Sequence, residues 1–203
     1  MGVMKTDIKQ TGKKIIAVAS STGGPKALQV LIPKLPSNLN APVLIVQHMP
    51  AGFTEALGKR LDSLSELSVK EASEGDILEN GHAYLAKGGR HMNVMRQGSR
   101  QIIHYTDEPP REGVRPCANF MYESLSESIY DEVICVVLTG MGADGTAGIK
   151  MLKEKKKITV IAQNEETCVV YGMPRSVTIA GLSDKEMPLE QIANEIIKNV
   201  GVS

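Results

Sequence analysis

The stretch Lys13-Lys14-Ile15-Ile16-Ala17-Val18-Ala19-Ser20-Ser21-Thr22-Gly23-Gly24-Pro25 decides the fold. Ile15 to Ala19 is apolar without alternation, so both faces of this strand must be covered, as in a parallel sheet packed between helices. Gly23-Gly24 then permits a tight turn. Pro25 suits the first position of a helix, where its fixed φ is already helical and its missing N–H has no partner to lose. Ala27, Leu28, Leu31, Ile32 and Leu35 follow as a stripe at helical spacing.

The same unit recurs along the chain. Val43 to Gln47, Val133 to Thr139 and Thr159 to Ala162 are further β-branched apolar runs, and Phe53, Ala56, Leu57, Leu61 and Leu64 make a second helical stripe. Repetition of strand and helix predicts an α/β fold: a three-layer, doubly wound, mostly parallel sheet of Rossmann-like type. The middle differs, because His82 to Ala86, Asn93 to Arg96 and Gln101 to Tyr105 are short extended runs joined by Lys87-Gly88-Gly89 and Gln97-Gly98-Ser99. They predict antiparallel hairpins at an edge or flap. A helix is expected from Ala118 to Ile129, after the break at Pro109-Pro110, and a closing amphipathic helix over Leu189 to Val200. Met1 to Gly12 has no apolar period and reads as a flexible tail or linker remnant, which leaves residues 13–203 as one domain.

Composition agrees with a single core, since the chain has 203 residues and 42% hydrophobic content. Twenty-three basic residues cancel twenty-three acidic ones, so no global field draws the chain to nucleic acid or to an anionic membrane. Cys117, Cys135 and Cys168 are an odd number without CxxC spacing, which disfavours a disulfide framework or structural zinc and suits a reducing, cytoplasmic setting. No apolar run approaches the roughly 18 residues of a membrane span.

Strands of an open parallel sheet point one way, so the loops after them gather along one edge, where such folds bind ligands. Ser21 follows the first strand, His48 the second, and Asp144 lies in Thr139-Gly140-Met141-Gly142-Ala143-Asp144-Gly145 after a third. Nucleophilic catalysis needs this set: a serine hydroxyl attacks well only when an imidazole takes its proton, and the imidazole needs a carboxylate to orient it. Ser21 would stand just ahead of a helix N-terminus, and Thr22 and the Gly140-Met141-Gly142 turn are natural sources of amide donors for an oxyanion.

Each piece also has a plainer reading. The Ser-Thr-Gly-Gly turn could be a helix cap or a phosphate cradle, and Asp144 a turn residue. Gly140 to Gly145 is a literal GxGxxG, with Glu165 about twenty residues on, which is the pattern of a dinucleotide-binding oxidoreductase. Against that, Asp144 would aim its charge at the pyrophosphate, and the motif comes late in the chain. A noncatalytic receptor-binding module on the same fold is a third class. His82, His91 and His104 share the hairpin region without zinc spacing. Cys168 is more simply a packed thiol than a nucleophile, Lys153 to Lys157 a solvated helix end, and Glu165 and Arg175 residues that shape the cleft.

Taken together, Ala19-Ser20-Ser21-Thr22-Gly23-Gly24, Gln47-His48-Met49-Pro50-Ala51-Gly52-Phe53, Leu138 to Gly145, and Ala162-Gln163-Asn164-Glu165 through Gly172-Met173-Pro174-Arg175 resemble the CheB family of chemotaxis receptor methylesterases. The match runs from Ile15 to the C-terminal helix. The resemblance implies that Ser21 is the nucleophile, His48 the general base and Asp144 the orienting carboxylate, with the Met141 amide in the oxyanion hole. It also implies hydrolysis of glutamyl γ-methyl esters on the cytoplasmic domain of methylated chemoreceptors, deamidation of receptor glutamines, no metal or cofactor, and an N-terminal receiver domain that this chain lacks. The family commonly has glycine-alanine before the nucleophile where this chain has Ala19-Ser20. Register against Thr22-Gly23-Gly24 selects Ser21, and Ser20 should point elsewhere.

Overall fold

The computed structural model describes residues 12–203, so the expected tail lies outside the described residues apart from Gly12. In chain order the elements are β1 (Lys14–Ser20), α1 (Gly24–Leu31), β2 (Val43–Gln47), α2 (Phe53–Leu64), β3 (Ser68–Glu71), β4 (His82–Leu85), β5 (His91–Gln97), β6 (Arg100–Thr106), α3 (Ala118–Ser124), β7 (Glu132–Val137), α4 (Thr146–Lys155), β8 (Lys157–Gln163), α5 (Met173–Ile179), β9 (Lys185–Met187) and α6 (Leu189–Val200). Seven strands form a parallel sheet in the order β3-β4-β2-β1-β7-β8-β9.

The unbroken apolar run of β1 is explained by this sheet. Ile15, Ala17 and Ala19 face α3, α4 and α5, while Ile16 and Val18 face α1, α2 and α6, and all five are fully buried. Helices therefore cover both faces, which makes the three-layer, doubly wound architecture. β2 lies on one side of β1 and β7 on the other. Successive connections thus leave β1 in opposite directions, and a crevice opens beyond the carboxyl ends of these strands.

The middle of the chain departs from expectation. β4, expected in a hairpin, pairs in parallel with both β2 and β3 inside the main sheet. Its partner β3 has no apolar pattern to announce it, since Ser68-Val69-Lys70-Glu71 buries only Val69, as suits a charged edge strand. β9 at the opposite edge is three residues long and mostly exposed, and likewise carries no apolar pattern. β5 and β6 do form an antiparallel ribbon, turning through Gly98 at φ +61°. It lies over a face of the sheet rather than at its edge: Met92, Val94, Ile103 and Tyr105 join the core shared with α3. The expected helix from Ala118 ends at Ser124 and continues only as a 3₁₀ turn, Leu125–Glu127.

The α2 stripe is rotated from the one expected. Thr54, Leu57, Gly58 and Leu61 face inward, whereas Phe53 is 63% exposed and Leu64 40%. Gly58 is the cause, because a Cβ there would stand 3.0 Å from the Glu71 amide nitrogen, so only glycine lets β3 approach this closely. Thr54 completes the contact by donating to Glu71 Oε2.

Candidate active site

β1 ends at two serines with different fates. Ser20 is fully buried and donates to Gln47 Oε1 at 2.7 Å. The Gln47 amide donates in turn to the carbonyls of Ser21 and His48, both at 3.0 Å, which ties the end of β1 to the end of β2. Ser21 has left the ladder and lines an open cleft of about 370 Å³ with His48, Met49, Pro50 and Phe53. Its own amide donates to the Thr139 carbonyl at 3.0 Å, and its carbonyl accepts from Gly24 at 2.7 Å, closing the turn into α1. Gly23 occupies φ +83°, and a Cβ there would meet the Val169 side chain at 2.7 Å.

The loop after β7 is held against this turn from both sides. A Cβ on Gly140 would stand 2.7 Å from Ser21 Cβ and 2.5 Å from Met173 Sδ, while the Gly140 carbonyl accepts from Gly172 and Met173 at the start of α5. Thr139 knits the neighbouring loop on, donating to the Thr22 carbonyl and accepting from the Val169 and Val170 amides. Met141 follows and is 72% exposed. Among the described residues, the Thr22 and Met141 amides donate no hydrogen bond, so both are available to a ligand.

Farther along the loop, Asp144 turns inward. Its Oδ2 lies 2.6 Å from His48 Nε2, with both side chains largely buried. Oδ2 also accepts from the Ala118 amide at 2.6 Å, and Oδ1 accepts from the Asn119 amide at 2.9 Å and the Cys117 thiol at 3.0 Å. Burial alone would raise the Asp144 carboxyl, but the bonds from His48, Cys117 and Ala118 outweigh it and hold the group below its ordinary value. Burial, then the nearby Asp144 charge, push the Cys117 thiol up to about 12, so it stays protonated as a donor. With Nε2 engaged by Asp144, Nδ1 is the His48 nitrogen left for the cleft. Ser21 and His48 share that cleft without a side-chain hydrogen bond between them.

The remaining candidates lie apart. His82 Nδ1 pairs with the Asn80 carbonyl and His104 Nδ1 with Glu74, whereas buried His91 accepts the Cys117 amide and donates to the Pro109 carbonyl. Among the described residues no cluster of three or more His, Cys, Asp or Glu side chains suits a metal. The Cys168 thiol is pushed by burial to about 11, which suits a packed thiol. Lys153 and Lys155 close α4, but Lys156 reaches inward to the Ser128 and Tyr130 carbonyls. Glu165 and Arg175 are exposed, and neither lines the Ser21 cleft. The GxGxxG loop directs its one carboxylate into the protein, where a dinucleotide could not meet it.

Two polar residues central to this geometry, Asn119 and Cys117, carry no motif signature of their own. Gln47 opens a motif, but its bonds to the carbonyls of Ser21 and His48 are not legible there. Asn119 is marked only by its place at the start of a helix, and Cys117 by nothing local.

The profile of the CheB methylesterase family matches residues 16–196. The chain is 46% identical over 187 residues to the protein-glutamate methylesterase/protein-glutamine glutaminase of Geobacillus kaustophilus, covering 92% of this chain and 54% of that protein. It is 44% identical over 188 residues to the protein of the same name from Bacillus subtilis, covering 92% and 52%. The chain thus spans about half the length of the curated relatives it matches. The crystal structure of the Thermotoga maritima CheB methylesterase catalytic domain superimposes with a TM-score of 0.88 at 42% identity, covering 93% of this chain and 98% of that one. With a match across nearly the whole domain in sequence and in fold, the chain belongs to the CheB methylesterase family.

Proposed function

We propose that this domain is a serine esterase that removes methyl groups from glutamyl γ-methyl esters on the cytoplasmic helices of chemoreceptors. The observation that carries the reading is the buried His48–Asp144 pair, 2.6 Å apart, presented to the same cleft on which Ser21 opens. Ser21 Oγ attacks the ester carbonyl carbon while His48 Nδ1 takes the hydroxyl proton. The Thr22 and Met141 amides hold the oxyanion, supported by the positive end of α1. As the tetrahedral intermediate collapses, the carbon–methoxy bond breaks and His48 returns the proton to release methanol. Water then repeats the sequence on the acyl-enzyme and leaves a glutamate carboxylate. The missing Ser21–His48 bond is compatible with this, since catalytic hydrogen bonds in free enzymes often form only around substrate.

The relatives' names also carry glutaminase activity, and the same machinery would serve a glutamine side chain with ammonia as the leaving group. The family resemblance makes a phosphorylatable receiver domain the expected regulatory partner and the cytoplasm the expected location. No helix among the described residues is long and apolar enough to cross a membrane. Incubation with methylated receptor should release methanol, and Ser21→Ala should abolish the release while keeping the fold. Undiminished turnover by that variant would remove Ser21 from the mechanism.

A further inference from the structure

Behind the cleft, α3 and α4 begin side by side, and each start is capped from the other. Asp144, just ahead of α4, accepts the Ala118 and Asn119 amides at the start of α3. Asn119, in the first turn of α3, accepts the Gly145 and Gly148 amides at the start of α4, at 3.0 and 2.7 Å, through its side-chain oxygen. The exchange is reciprocal. The Asn119 side-chain nitrogen donates to Glu112 Oε1 at 2.8 Å, so both ends of this fully buried amide are paired. Gly148 is what allows the approach, because a Cβ there would stand 2.8 Å from the Asn119 carbonyl oxygen.

The geometry points to Asn119 as a positioning residue that sets the Asp144 carboxylate against His48, acting through the Gly145 and Gly148 amides; its kinetic consequence rests on the esterase reading above. Asp144 stands between Gly142 at φ +94° and Gly145 at φ +97°. Glycine adopts positive and negative φ about equally readily, so these two positions do not by themselves hold the loop, and bonds from outside it must. Gly145, the residue next to Asp144, is fixed by Asn119 Oδ1, and the Asn119 backbone amide binds Asp144 Oδ1 itself. One residue thus holds both the carboxylate and the turn that carries it.

The test compares Asn119→Ala, which removes the acceptor, with Asn119→Asp combined with Glu112→Gln, which keeps an oxygen for Gly145 and Gly148 and lets residue 112 donate to the second oxygen at unchanged net charge. Two readouts are taken on the full chain: kcat and KM for ester hydrolysis, and the proton NMR signal of the His48 imidazole N–H bonded to Asp144. Asn119→Ala should lower kcat about 10- to 100-fold with KM within about twofold, as a misplacement of order 1 Å does, and should shift or broaden the His48 signal. The double variant should restore kcat to within about threefold, and with it the signal, because the acceptor is back in place and its second oxygen is paired. If the alanine variant does not fold, Asn119→Ser, whose oxygen falls short of both amides, is read in its place. An unmoved His48 signal with unchanged kcat in the alanine or serine variant overturns the inference, and so does failure of the double variant to rescue. If the wild-type chain lacked esterase activity, the proposed function would fail alone, since the NMR comparison still decides the role of Asn119.

Discussion

Replacing Asp144 by asparagine removes one charge and one acceptor from a site that uses both. The carboxylate serves four donors: His48 and the Ala118 amide on Oδ2, the Asn119 amide and the Cys117 thiol on Oδ1. An asparagine keeps a single oxygen. With that oxygen at the Oδ1 place, Asn119 and Cys117 stay paired, the new amide nitrogen meets the Ala118 N–H donor to donor, and His48 Nε2 must become an acceptor. The reverse orientation strands the Asn119 amide and the thiol together, so the first is preferred. One buried amide left unpaired costs about 1–3 kcal/mol, and two bonds that lose their charge assistance cost about 1 kcal/mol each. A loss of roughly 3–5 kcal/mol corresponds to a Tm lowered by about 6–20 °C in a chain of this size, and the protein should still fold at 25 °C. The kinetic effect is larger. With Nε2 accepting, the ring proton sits on Nδ1, the nitrogen that takes the Ser21 proton in the proposed mechanism, and kcat should fall about 10⁴-fold, as wrong-tautomer variants of such triads do. Methanol release measures the rate, and ¹⁵N NMR of the imidazole reads the tautomer. Activity within tenfold of wild type, or a ring proton still on Nε2, would refute this reasoning.

Three further outcomes are expected. Ser21→Ala should leave Tm within about 1 °C of wild type, because the side chain is only half-buried and forms no hydrogen bond among the described residues, which separates loss of chemistry from loss of fold by calorimetry. Gly140→Ala should cost about 1–3 kcal/mol by overpacking, since its Cβ would press on Ser21 and Met173, and should lower kcat by pushing the two loops apart; an unchanged kcat would show that the loops are less tightly coupled than their contacts suggest. Acid provides another check. Because the folded Asp144 carboxyl lies below its ordinary value, the stability it confers is complete above the ordinary carboxylate range, near pH 4, and is lost as pH falls through the depressed value. The stability gap between wild type and Asp144→Asn, measured by urea unfolding, should therefore narrow steadily in acid, and a constant gap down to about pH 2 would contradict the assignment.

Most of the sheet was legible where burial left a strong local mark. β1, β2, β7 and β8 are apolar on both faces because helices cover both, and runs of this kind alternating with helical stripes are the mark of a covered parallel sheet. Edge strands carry no such mark. β3 and β9 are short and charged because one side meets solvent, so a pattern of apolar residues could not reveal them. β4 misled because four residues followed by Gly88 and Gly89 look alike whether the next strand pairs beside them or crosses to another layer. The buried face of α2 was misjudged because Gly58 and Thr54, neither an apolar signal, are the residues that β3 and the Gly88 amide require.

The sequence by itself determined the parallel sheet and the strand ends at which Ser21, His48 and Asp144 stand, because strand polarity and the position of a turn are local properties. The choice of Ser21 over Ser20 came from the family resemblance, by register against Thr22-Gly23-Gly24. Tertiary structure alone decided that Nε2 of His48 faces Asp144, that Gln47 couples the ends of β1 and β2, and that Asn119 and Asp144 cap each other's helices. Hydrogen bonds between residues up to 96 positions apart in the chain leave no periodicity to read. Their partners are chosen only when the layers close and every buried donor must find an acceptor.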